Sequence, residues 1–88
     1  MKVWGTIHKH HRIIAQATGE SEKTDASQAL LECLEQIYKK LDLAEPVWVA
    51  KHARDLSYYR RTKFLPSDFL EPVSFDFFEI ETIPESDD

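Results

Sequence analysis

Two groups of side chains in this 88-residue chain have the types and spacing to do chemistry. The first is His8-Lys9-His10-His11. Alternate residues of an extended chain point the same way, so His8 and His10 would offer two imidazoles to a transition metal. A stable site needs a third or fourth ligand. No cysteine or acid stands at matching local spacing, so the fold would have to supply His52 or Glu79; the plainer expectation is a solvated, histidine-rich turn. The second group is Arg54, Tyr58 and Arg61, spaced i, i+4, i+7, with Lys51, Arg60 and Lys63 beside it. On a helix this spacing sets two guanidinium groups and a phenol along one stripe. Such a stripe can contact phosphates and stack on a base, or meet an acidic partner protein.

Charge distribution gives the second group its weight. The chain carries a net charge of −5, yet residues 51 to 63 hold five basic residues against Asp55 alone, while residues 64 to 88 hold eight acids and no Lys or Arg. Segregation of this kind either orients the molecule toward a charged partner or lets two parts of one fold attract each other. Chains that bind nucleic acid along their whole length usually carry a basic excess, and a pI near 5.3 argues the other way.

Catalytic arrangements are sparse. Cys33 lies among apolar residues at helical spacing, where a thiol behaves as a small hydrophobe. No Gly-x-Ser-x-Gly elbow is present, and Gly5 and Gly19 are too few for a phosphate-cradling loop. Glu79 and Glu81 would share a strand face, but acids at a strand edge ordinarily keep it soluble. The expectation is a chain without catalytic residues, cofactor or small-molecule ligand.

The elements that must position these groups follow from apolar periodicity. Residues 2 to 8 and 11 to 17 read as two strands of a hairpin turning at Lys9-His10. Thr24, Asp25 and Gln28 form a helix-start signal, and from Ala26 to Leu41 the residues Ala29, Leu30, Cys33, Leu34, Ile37 and Leu41 fall on one side of a helix. Pro46 stops helical continuation, and Val47-Trp48-Val49-Ala50 reads as a third, buried strand. A short helix is expected from His52 to Tyr59, with His52, Leu56 and Tyr59 on its inner side. Val73 to Thr82 reads as the last strand, with a bulge near Phe77-Phe78 to reconcile its two phases.

The expected fold class is therefore α+β, in the order β-β-α-β-α-β. About four strands form one sheet, one long helix packs across a face, and a second helix is short. Residues 1 to 83 form a single domain, and residues 84 to 88 a frayed acidic tail. The opposite sheet face, with Trp4 and late phenylalanines, would face solvent and suit a partner. One cysteine excludes an intramolecular disulfide, the N-terminus has no apolar signal core, and no run is long enough to span a bilayer. The setting expected is soluble and cytoplasmic, with no membrane contact. The functional expectation is a non-catalytic protein-interaction module, or a homodimer, using Lys51, Arg54, Tyr58, Arg61 and Lys63. Nucleic-acid binding through residues 51 to 63 is the alternative, and a metal-dependent site at His8–His11 the second alternative.

Overall fold

In the computed structural model, which describes residues 1 to 84, two strands lead into two helices and two further strands. These are β1 (Lys2–Lys9), β2 (Arg12–Glu20), α1 (Ala26–Leu41), α2 (Ala50–Tyr59), β3 (Arg61–Phe64) and β4 (Phe77–Ile83), with a single 3-10 turn at Pro66–Asp68. The four strands form one antiparallel sheet in the order β2-β1-β4-β3, so β2 and β3 are its edges. The α+β class, the single sheet and the two helices stand as expected. The element order is β-β-α-α-β-β, and four of the tail residues, 85 to 88, lie outside the described residues.

The expected third strand, Val47–Ala50, is not a strand. Its β-prone residues form an irregular segment held by Val47 N–H donating to the Asp68 carbonyl at 2.7 Å, with the Trp48 ring wedged edge-on against Phe64, centroids 5.1 Å apart. The strand lies instead at Arg61–Phe64, directly after α2. Arg60 makes that change of direction with φ of 61°, in the left-handed region, which ends the helix and starts the strand within one residue. The last strand begins at Phe77, not Val73, and pairs with β1 without a bulge. The irregularity is in β2, where the register jumps between Ile7 and His8 and leaves Ile14 as the extra residue. The hairpin turns at His10-His11, both with positive φ, and Asp76 accepts the His10 N–H at 2.8 Å.

Strand alternation sorts the sheet into two faces. Val3, Ile7, Phe64, Phe78 and Ile80 point inward and meet Cys33, Leu34 and Ile37 of α1, all of them buried. The α1 boundaries match the expected ones because both of their causes are present. Asp25 accepts the Gln28 N–H at 3.0 Å, and the apolar stripe is continuous. Within this packing, Tyr38 has a buried hydroxyl with no hydrogen-bond partner. Burial pushes its pKa up from 10.0 to about 12; the Trp48 indole, short of hydrogen-bonding geometry, opposes the shift, and the Glu45 charge adds to it. Because the folded chain holds this proton more tightly than the unfolded one, the contribution is complete below pH 10.0 and is lost as pH rises through about 12. Tyr38→Phe should therefore leave stability at neutral pH unchanged or raise it by up to about 1 kcal/mol, since it removes a buried unsatisfied group. It should also flatten the alkaline loss, and urea unfolding at neutral and alkaline pH measures both. A clear destabilisation at neutral pH would show that the hydroxyl has a partner after all.

The uncovered face is not an apolar patch. Trp4 Nε1 donates to Gln16 Oε1 at 2.9 Å, the His8 ring stacks on Phe77 with centroids 4.3 Å apart, and the Lys63 ammonium lies 4.5 Å from the centre of the same Phe77 ring. Thr6, in the middle, is 2% exposed and within 2.8 Å of His8 Nε2. The side chains of this face pack on one another, with Trp4 and Phe77 half-buried, and no described helix covers it.

Candidate functional site

The residues singled out from the sequence come from two elements. Lys51, Arg54 and Tyr58 belong to α2, whereas Arg61 and Lys63 belong to β3, so the expected helical stripe breaks at Arg60. At about 100° per residue, Lys51, Asp55 and Tyr59 share one side of α2, with Arg54 and Tyr58 just beyond Lys51 on the outer face. Tyr59, expected on the inner side of the helix, is 69% exposed. Its side of α2, the β3 residues Arg61, Thr62 and Lys63, and Glu79 of β4 line a groove of about 210 Å³.

His52 anchors α2 so that this groove exists. It is the one buried residue of the helix, with Nδ1 accepting the Val49 N–H at 3.1 Å across the first turn. Nε2 lies 3.4 Å from Asp68 Oδ2, which itself accepts the Leu65 N–H at 2.8 Å. The imidazole packs on Phe64 with centroids 4.2 Å apart. One side chain thus ties the start of α2 both to the end of β3 and to the turn that follows.

Charges around the groove are only partly neutralised. Lys51 pairs with Asp55 at 3.5 Å and Arg61 approaches Glu81 at 4.0 Å, each an exposed cation on a half-buried acid, and pairs with a solvated partner contribute little. Lys63 stands opposite Glu79 in the strand register, but its ammonium is on Phe77. Arg54 has no ion pair among the described residues, and Tyr58, its neighbour on the outer face, is 76% exposed. Three of the basic residues therefore have an acid or a ring of their own chain, while Arg54 and Tyr58 face water.

The two sheet edges differ in how they are finished. Along β2, the Gln36 side-chain amide accepts the Glu20 N–H at 3.0 Å and donates to the Glu20 carbonyl at 2.7 Å, as a neighbouring strand would. Lys40 Nζ donates to the Thr18 carbonyl at 2.6 Å. Along β3 the Thr82 N–H donates to the Arg60 carbonyl, and alternation makes Thr62 with Ile80 and Phe64 with Phe78 the next bonded pairs. The N–H and C=O groups of Arg61 and Lys63 therefore point away from β4, and none has a partner among the described residues. The sequence does not signal this: the edge depends on strand order, and Tyr59 and Thr62 join the groove only because α2 turns sharply into β3.

The histidine-rich turn is not assembled into a ligand set. His8 faces the sheet, 3.9 Å from Glu79, whereas His10 and His11 are exposed at the turn, and no group of three metal-binding side chains occurs among the described residues. Cys33 is fully buried in the core. A second cleft, of about 290 Å³ between α1 and α2, is lined by residues such as Leu30, Trp48 and Leu56 and has no charged side chain to orient a ligand. No described helix is long and apolar enough to cross a membrane. No family model, no curated protein and no solved structure matches the chain.

Proposed function

We propose that the chain is a protein-interaction domain whose docking surface is the corner between α2 and β3, formed by Lys51, Arg54, Tyr58, Tyr59, Arg61 and Lys63. The observation that carries this reading is the pairing of exposed aromatics with incompletely neutralised cations around a groove. Tyr58 and Tyr59 are 76% and 69% exposed, a large area of aromatic ring in water beside Arg54, and Tyr and Arg are enriched where proteins recognise each other. The acids interleaved with the cations, Asp55, Glu79 and Glu81, favour a protein, whose carboxylates can stand only where the cations are, over nucleic acid, whose continuous run of phosphates must also pass the acids.

A photo-crosslinking residue at position 58 tests the reading. The expected result is adducts to discrete proteins that disappear in Arg54→Glu/Arg61→Glu chains, with none from the same residue at Gln28 on α1. In parallel, single-stranded and duplex oligonucleotides should show no salt-dependent binding. Tight binding of oligonucleotides that weakens with salt, without protein adducts, would replace this reading with the nucleic-acid one.

A further inference from the structure

We infer that β3 is a strand-addition site: an extended acidic segment of a partner protein lies in the groove between β3 and the Lys51-Asp55-Tyr59 side of α2 and becomes the fifth strand of the sheet. This rests on the docking surface proposed above and specifies its occupant. Three observations converge on it.

The first is the unpaired backbone of Arg61 and Lys63, two donors and two acceptors in a row on the outer edge of the sheet. An extended peptide satisfies such groups in the way a neighbouring strand does, and these main-chain bonds supply affinity without regard to sequence. The second is the contrast between the edges. The chain covers the end of β2, at Thr18 and Glu20, with Lys40 and Gln36 but covers nothing along β3, and beside that open edge stands the groove of about 210 Å³. The third is charge. Residues with outward-pointing backbone in β3 are also the basic ones, so their side chains lie on the uncovered face beside any added strand.

That charge decides between occupants. If a second copy of the chain added its own β3 in antiparallel fashion around Thr62, Arg61 would face the partner's Lys63 and repel it, which disfavours self-pairing here. A partner strand with acids at every second position sets carboxylates against Arg61 and Lys63. Its alternate side chains turn the other way, toward Tyr59 and Thr62.

The probe is an acetylated, amidated heptapeptide alternating Glu and Val, titrated into the full chain labelled with nitrogen-15. Strand addition predicts saturable shifts at Arg61, Thr62 and Lys63, new protection of the Arg61 and Lys63 amides from exchange, and affinity lowered about tenfold or more by N-methylating alternate peptide nitrogens. A Lys/Val peptide of the same length should not bind. If the Glu/Val peptide binds but N-methylation has no effect and neither amide gains protection, strand addition is overturned while the docking surface stands. If the Lys/Val peptide binds equally well, the acidic occupant is overturned. No binding by the Glu/Val peptide overturns the inference, and the fate of the broader reading is then decided by the position-58 adducts.

Discussion

Gly19→Ala should be among the most damaging single substitutions in the chain, costing about 3 kcal/mol or more, at the upper end of overpacking effects. A Cβ at Gly19 would stand 2.1 Å from the Cys33 carbonyl oxygen, 2.7 Å from its carbon and 2.8 Å from its Cα. These are backbone atoms in the middle of α1, so no side chain can swing aside. The helix cannot shift cheaply either, because Gln36 and Lys40 tie it to the β2 edge at Glu20 and Thr18. Thermal unfolding should register the change as a fall in Tm of about 12 °C or more, taking 4 to 8 °C per kcal/mol for a domain of this size. Gly5→Ala is the milder companion: its Cβ meets the Ile37 Cγ2 methyl at 2.7 Å and the Phe78 ring at 3.1 Å, side-chain atoms that can yield in part. A Gly19→Ala chain as stable as the parent would mean that α1 does not lie on β2 in this way.

His52→Ala should destabilise by about 3 to 5 kcal/mol, combining a large-to-small cavity with an orphaned helix-start N–H. The substitution removes the ring packed on Phe64 and Trp48, the acceptor for the Val49 N–H and the contact to Asp68 at once. His52→Asn separates these contributions. Its side-chain oxygen can take the place of Nδ1, so it should restore the helix-start bond and recover about 1 kcal/mol, a typical value for a helix cap. The rest of the loss should remain. Urea unfolding of the three chains gives the ranking. Amide exchange should show the loss concentrated in α2, the wall of the groove, before the sheet opens. Equal stability of the Ala and Asn chains would show that the Nδ1 bond contributes nothing.

How much of this was legible in the sequence depended on whether a signal was local. The α1 helix was legible residue by residue, since the Asp25 cap and the apolar stripe through Ala29, Cys33, Leu34 and Ile37 are determined within one element. Val47–Ala50 misled because β-propensity describes a fit to a half-buried pleated surface, and here a main-chain bond to Asp68 and the Trp48 ring on Phe64 hold the segment without a ladder, leaving Val47 and Val49 exposed. Arg61-Thr-Lys-Phe64 does alternate, with Thr62 and Phe64 buried. Four residues following a helical run, two of them basic, gave periodicity too little length to work with. Gly19 lies just past the strand expected over residues 11 to 17, and its role is set by a helix backbone fourteen positions away in sequence.

The candidate site was legible as a list and not as a place. Lys51, Arg54, Tyr58, Arg61 and Lys63 do lie around one corner of the molecule, but helical spacing suggested a single stripe where the structure has a helix side and a strand edge. Internal pairing and exposure are both present: Arg61 turns to Glu81 and Lys51 to Asp55, while Arg54 and Tyr58 face solvent. The unpaired main-chain groups of β3 had no sequence signal, because side-chain types say nothing of which strand ends up at an edge.

The measurement that bears most directly on the account is residue-resolved amide exchange of the full chain alone in solution, read along β3. An open edge predicts alternation: the Thr62 and Phe64 amides, bonded to β4, exchange slowly, whereas the Arg61 and Lys63 amides exchange at rates near those of unprotected peptide. Equal, strong protection of all four would contradict the account, because it would show that the outer side of β3 is already occupied and no strand remains to be added.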